Sequence, residues 1–122
     1  MRAAVSDITS ERELLTFIYD AFNRREVDSI LARMHPEVEW PNGMEGGWVY
    51  GRDGVRNYWA RQWKMLDPRV DPVGFKLETD GCITVDVHQV VCDLQGKVLL
   101  DRTVQHVYHI TDGLIRRMEI RE

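Results

Sequence analysis

The sequence predicts an α+β fold in which three N-terminal helices pack on a long, curved, mostly antiparallel sheet. Three observations carry that reading. The last third of the chain, about 73–122, holds three dipeptides suited to tight turns: Asp80-Gly81, Gln95-Gly96 and Asp112-Gly113. Glycine at the second position accepts the positive φ such turns need, and β-rich runs flank all three. The first half instead repeats apolar residues at helical spacing, at Leu14, Ile18, Ala21 and Phe22 and again at Val55, Trp59, Trp63 and Leu66. These stripes are the only large apolar surfaces available to cover one face of the sheet.

Taken in order, Met1–Thr9 has no apolar run and is expected to be disordered, with a single domain over 10–122. Ser10 and Glu13 read as a capping box for the first helix, and Leu15 flanks its stripe. Asn23-Arg24-Arg25 breaks the pattern. A short second helix carries Val27, Ile30, Leu31 and Met34 on one face and stops at Pro36, because a residue before proline avoids the α region. Glu37–Trp40 reads as a short strand, ended by Pro41 and placed at a sheet edge. Between Asn42 and Arg52, four glycines surround Trp48 and Tyr50. That stretch is open to two readings, a flexible loop folding its rings over a pocket mouth or a surface loop pinned by one ring. Asp53 caps a third helix predicted over about 54–66, with Tyr58 and Met65 beside its stripe, and Asp67-Pro68 ends it. Four strands follow, at about 73–79, 82–94, 97–111 and 114–121.

Two-residue turns fix a register. Phe75 pairs with Asp86 and Val73 with His88; Asp86 with Gln105, His88 with Thr103 and Val90 with Asp101; Gln105 with Ile120, Val107 with Met118 and His109 with Arg116. One face then carries Val73, Phe75, Leu77, Asp86, His88, Val90, Cys92, Thr103, Gln105, Val107, Met118 and Ile120. It is predicted to point inward, since the edge strands carry charge on the other side. Mostly apolar with a polar group in its middle, it describes a ligand pocket better than a dry core. The opposite face of the central strands carries Ile83, Val85, Val87, Val91, Leu100, Val104, Tyr108 and Ile110, rimmed by charge. A patch of that kind predicts a two-fold homodimer interface.

Within the inward face, Asp86 and His88 project about 7 Å apart, with Thr103 and Gln105 opposite. A histidine beside a carboxylate can take or give a proton, so these two are the candidate catalytic pair. The structural alternative is that Asp86, His88, Gln105 and an aromatic donor satisfy one another. Trp40, Tyr58, Trp59 and Trp63 are expected to close the pocket, with Phe75, Thr103, Gln105, Val107, Met118 and Ile120 lining it. Arg116 and His109 form a second polar cluster, in which Arg116 either binds a substrate carboxylate or reaches solvent. His106 and His109, three apart on a strand, face opposite sides and do not chelate one ion, so no metal is expected. No glycine-rich phosphate loop and no serine or cysteine triad is present, and no cofactor is expected.

The 122 residues carry a net charge of −4, which argues against a nucleic-acid or anionic-membrane surface. No run of 18 apolar residues is present, and a cytoplasmic location is the default. Cys82 and Cys92 lie ten residues apart on one predicted strand, roughly 33 Å, too far for an intrachain disulfide.

Four segments carry a family resemblance: Ile18-Tyr19-Asp20-Ala21-Phe22-Asn23 with Glu26-Val27-Asp28, His35-Pro36-Glu37-Val38-Glu39-Trp40, Tyr50-Gly51-Arg52-Asp53-Gly54-Val55, and His106-Val107-Tyr108-His109-Ile110-Thr111-Asp112-Gly113-Leu114-Ile115. In their order and spacing they resemble nuclear transport factor 2-like proteins, and within them the SnoaL-like branch. The resemblance implies a cone-shaped α+β barrel with an internal cavity, usually a homodimer. That superfamily spans ketosteroid isomerase, polyketide cyclases, limonene-epoxide hydrolase, dehydratases and non-catalytic binding domains. A shared fold does not choose among them. Matched by motif, the ketosteroid isomerase tyrosine, aspartate base and acid fall on Ile18, Trp40 and Gln105, so that mechanism is not expected; Tyr19 is one residue off and is read as facing elsewhere. Two classes of function remain: an acid–base lyase, isomerase or cyclase acting on a small, largely apolar molecule, or a binding or dimerisation domain that holds a ligand unchanged.

Overall fold

The computed structural model describes residues 9–122. Its elements are α1 (Thr9–Asn23), α2 (Val27–Leu31), β1 (Met34–Pro41), β2 (Trp48–Tyr50), α3 (Gly51–Trp63), β3 (Leu66–Leu77), β4 (Ile83–Asp93), β5 (Val98–Thr111) and β6 (Leu114–Arg121). The six strands form one open sheet in the order β2-β1-β6-β5-β4-β3. β1 and β6 run parallel and the other neighbours antiparallel. The fold is α+β, with a curved sheet that does not close into a barrel, because β2 and β3 remain its two edges.

The core lies between α1, α2, α3 and one face of this sheet. From α1 it takes Leu14, Leu15, Ile18, Tyr19 and Ala21, from α3 Val55, Tyr58 and Trp59, and from the central strands Ile83, Val85, Val87, Val104 and Tyr108. Leu15, Ile18, Tyr19 and Phe22 recur at i, i+3, i+4 and i+7, one stripe of a helix. Tyr19 is therefore a core residue, 3% exposed, and does not face elsewhere as read from the motif.

Several boundaries differ from the sequence expectation. Ser10 lies within α1 and not at its cap, and the expected disordered stretch falls, apart from Thr9, outside the described residues. Met34 begins β1 and is not part of α2, and β1 is an interior strand, since β2 covers its edge through Glu39, Trp40 and Pro41. α3 starts at Gly51, with Asp53 in its first turn. β3 begins at Leu66, so Pro68 and Pro72 stand inside a strand; β3 is an edge, where proline's missing N–H costs no ladder bond.

The main correction concerns register. The central pairing is as read: Asp86 opposes Gln105, His88 opposes Thr103 and Val90 opposes Asp101. Both flanking pairings are off by one. In the β3–β4 connection Leu77 pairs with Ile83, around a five-residue loop in which the Glu78 N–H donates to the Cys82 carbonyl. Phe75 consequently opposes Val85, not Asp86, and a bulge at Pro72–Gly74 displaces Val73 to the surface. The β5–β6 turn pairs Thr111 with Leu114 as expected, but a bulge beyond His109 then sets His109 against Arg117 and Tyr108 against Met118. A slip of one residue reverses the relation between two faces. Phe75, Met118 and Ile120 do face the helices, and so the central residues beside them are Val85, Val87, Val104, His106 and Tyr108. The apolar strand face assigned to a homodimer interface is this core face, packed beneath the helices.

Candidate functional site

Between α1, α3, the end of β1 and the helix-facing side of β3–β6 lies a pocket of about 570 Å³. Apolar and aromatic side chains make most of its wall: Ile18 and Phe22 from α1, Trp40 from β1, Trp59 from α3, Val70 from β3, Val91 from β4, and Met118 and Ile120 from β6. The rings are mutually braced. Trp59 meets Trp40 edge-on at 5.5 Å and Phe22 at 5.3 Å, geometry that aromatic quadrupoles favour. Gly43 and Met44 contribute from the loop after β1. That loop is pinned at Tyr58, whose hydroxyl accepts from the Gly43 N–H at 3.0 Å, and by Arg61 donating to Glu45 at 3.0 Å. The pinning residue is on α3; of the loop's own rings, Tyr50 is exposed and Trp48 lies under the Arg117 guanidinium, and neither lines the pocket.

Three polar side chains converge in this wall. Tyr108 donates its hydroxyl to Tyr19 at 2.8 Å, and the Tyr19 oxygen lies 2.7 Å from His106 Nδ1. All three residues are buried. With the Tyr19 oxygen already accepting from Tyr108, its own proton goes to Nδ1, which assigns the imidazole proton to Nε2. Nε2 makes no hydrogen bond among the described residues. Burial, reinforced by the nearby Arg102 guanidinium, holds the His106 imidazole down at about 4, so the ring is neutral at pH 7. Burial pushes both phenols up, and they stay protonated. Arg102, Gln89 and Gln62 add to the polar part of the lining, with Arg102 Nε donating to Gln89 Oε1 at 2.9 Å and Gln62 Nε2 donating to the Tyr58 hydroxyl at 3.3 Å.

Asp86 and His88 are not in this wall. They stand on the outer face, where Gln105 donates to Asp86 at 3.0 Å and His88 Nε2 lies 2.7 Å from Asp101. The His88 and Asp101 side chains are 46% and 60% exposed. Thr103 and Gln105 share that exposed face, and Val107 is buried on it, away from the pocket. The cause is the paired one-residue slips, which exchange the faces of β4 and β5. Of the other expected lining residues, Trp40, Tyr58, Trp59, Met118 and Ile120 line the pocket. Phe75 packs against the core beside it, and Trp63 stacks behind Trp59 at 5.8 Å under the Arg25 guanidinium.

His109 belongs to a separate cluster on the outer side. Its Nε2 lies 2.7 Å from Glu119 Oε2 and its Nδ1 lies 3.3 Å from Cys82 Sγ. Burial and the Asp80 carboxylate push the Cys82 thiol up to about 11, so it is not a nucleophile at neutral pH. Arg116 turns back to the Glu37 carbonyl and the Glu37 and Glu39 carboxylates, and leaves the pocket free of its charge. Cys82 and Cys92 are both free thiols. No group of three or more His, Cys, Asp and Glu able to hold a metal occurs among the described residues. No helix among them is long and apolar enough to cross a membrane.

Residues 16–118 match the family described as SnoaL-like domain. Among solved structures, TerC, co-crystallised with polyporic acid, is 29% identical, covering 92% of this chain and 90% of that one with a TM-score of 0.79. An NTF2-like protein of unknown function from Burkholderia pseudomallei is 25% identical, covering 92% and 89%, also with a TM-score of 0.79. SalBIII, an epoxide hydrolase/cyclase-like enzyme of pyran ring formation in the polyether salinomycin, shares the fold at 17% identity, covering 94% and 92% with a TM-score of 0.78. No curated protein matches.

Proposed function

Because the chain belongs to the SnoaL-like domain family, we propose that its pocket binds a small, largely apolar, ring-containing molecule and that His106 acts on a carbonyl oxygen of that molecule. The observation that carries this reading is the Tyr108–Tyr19–His106 relay set in an otherwise aromatic and aliphatic wall. Concave apolar walls with a few convergent polar groups are the usual form of small-molecule sites. Tyr19 fixes the tautomer, so the neutral imidazole offers Nε2–H as a donor. In a water-poor wall, such a donor stabilises negative charge growing on a carbonyl oxygen, the demand made by enolisation, isomerisation or ring closure beside a ketone. The co-crystallisation of TerC with polyporic acid supports a small organic ligand for this chain as well.

A purely binding role has one specific observation in its favour. Among the described residues, no carboxylate stands in the lining, so a base would come from the ligand or from solvent. The homodimer implied by the family resemblance belongs to either reading, formed through a surface other than the strand face packed beneath the helices.

The test uses 2-tetralone, a bicyclic ketone whose α-hydrogens exchange through its enol, incubated with the protein in D₂O and followed by proton NMR. Exchange is expected above the buffer rate, with His106→Phe removing roughly a hundredfold of the acceleration and Tyr19→Phe a smaller part. Exchange at the buffer rate from a bound ketone contradicts the catalytic role and supports binding alone.

A further inference from the structure

We infer that the pocket selects an anionic ligand, an aromatic or alicyclic acid whose acid group pairs with the Arg102 guanidinium; the inference rests on the pocket being the ligand site. Arg102 is the one formally charged side chain of the lining among the described residues, in a wall where His106 is neutral. Its three nitrogens have distinct roles. Nε is committed to Gln89 Oε1 at 2.9 Å, which fixes the plane of the guanidinium. Nη1 lies 3.1 Å from the Glu122 carboxylate. Nη2 makes no hydrogen bond among the described residues.

Glu122 marks where an acid group fits. Its side chain is 71% exposed, and a pair of that kind is held weakly, so a ligand carboxylate can take its place with little loss. A carboxylate on Arg102 gains a charge-assisted hydrogen bond beside an apolar wall, where such bonds are stronger than in water. A neutral ligand leaves the cation paired only to Glu122. Size follows from the strand. Arg102 and His106 stand four residues apart on one face of β5, roughly 13 Å along the chain, and both side chains reach inward. A molecule of two or three fused rings spans the gap, its acid group at Arg102 and its carbonyl at His106.

The test compares 2-naphthoic acid with 2-naphthamide, a neutral compound of nearly the same shape, by quenching of the pocket tryptophans at low ionic strength. Wild-type protein is expected to bind the acid about tenfold tighter than the amide. Arg102→Gln should erase that preference while leaving amide affinity in place, which also certifies the fold of the variant. Arg102→Lys should keep part of the preference, and Glu122→Gln should tighten the acid by about twofold. Equal affinity for acid and amide in the wild type, or a preference that survives in Arg102→Gln, overturns the inference and leaves the pocket reading standing. Failure of both compounds to bind overturns the pocket reading and the inference together.

Discussion

His106 sits 6% exposed, with one ring nitrogen held by Tyr19 and the other without a hydrogen-bond partner among the described residues. Its unfolded counterpart titrates near 6.5, while the folded ring stays neutral down to about 4. Above pH 6.5 both states are neutral and the group adds no pH dependence. As pH falls below 6.5 the unfolded chain takes the proton first, so stability declines until the folded ring also protonates near 4, by on the order of 3 kcal/mol in all. Urea unfolding between pH 7 and 4 should show that slope, and His106→Phe should flatten it. Glu119 acts in a separate and lower window, because His109 holds its carboxyl below the usual range. Asp86 and His88 lead to the opposite expectation. Their hydrogen bonds lie on the outer face, so Asp86→Ala and His88→Ala should each change stability by less than about 1 kcal/mol. Binding of 2-tetralone should be unaltered in both, and a loss of binding in either contradicts the face assignment. Tyr19, read from the motif offset as facing elsewhere, carried its signal in the Leu15, Ile18, Tyr19, Phe22 spacing, one stripe of a helix. His106 was not, because a lone histidine within an apolar alternation looks the same on a core face as on an interface.

At the scale of elements, the turns were legible and the bulges were not. Asp80-Gly81, Gln95-Gly96 and Asp112-Gly113 do mark the strand connections, with Gly81, Gly96 and Gly113 all at positive φ. Loop length and bulges, however, carry no composition signal of their own: the five-residue loop between Leu77 and Ile83 and the bulge at Arg116 each shifted a register by one and reversed a face. Pattern strength held the better clue: along β4, Ile83, Val85 and Val87 are continuously apolar, whereas Thr84, Asp86 and His88 are not. The α3 stripe was read correctly at Val55 and Trp59. Trp59 is 2% exposed and braced by Phe22, Trp40 and Trp63. Trp59→Ala should therefore cost about 3–5 kcal/mol by thermal or denaturant unfolding, and Trp59→Phe distinctly less. A cost under about 1 kcal/mol would show that α3 is not packed as described.

At the scale of the whole molecule, a single arrangement produces both fold and site. An open six-stranded sheet curls over α1 and α3, and the space the helices leave unfilled is the pocket. Because β5 crosses the middle of the sheet, its inward residues reach the pocket wall in sequence: Arg102, then His106, then Tyr108. Among the described residues Arg102 is the one charged side chain of the lining, and no acidic residue lines the pocket. The α+β class and the family resemblance were both legible, since helical stripes and turn dipeptides are local signals. Which sheet face the helices cover depends on registers summed over three hairpins, where one slip is enough to invert the answer.

In the proposed site a neutral, Tyr19-bound His106 meets the ligand. The most direct measurement is a long-range proton–nitrogen NMR spectrum of the four histidine rings across pH 8 to 4, with and without 2-tetralone. One ring is expected to be fixed in the Nε2–H form, absent from the spectrum of His106→Phe, to remain neutral until about pH 4 and to shift when the ketone is added. The His88 ring, on the outer face, should not respond to the ketone. A His106 ring that protonates near pH 6.5, or one the bound ketone leaves unmoved, would contradict the proposed site.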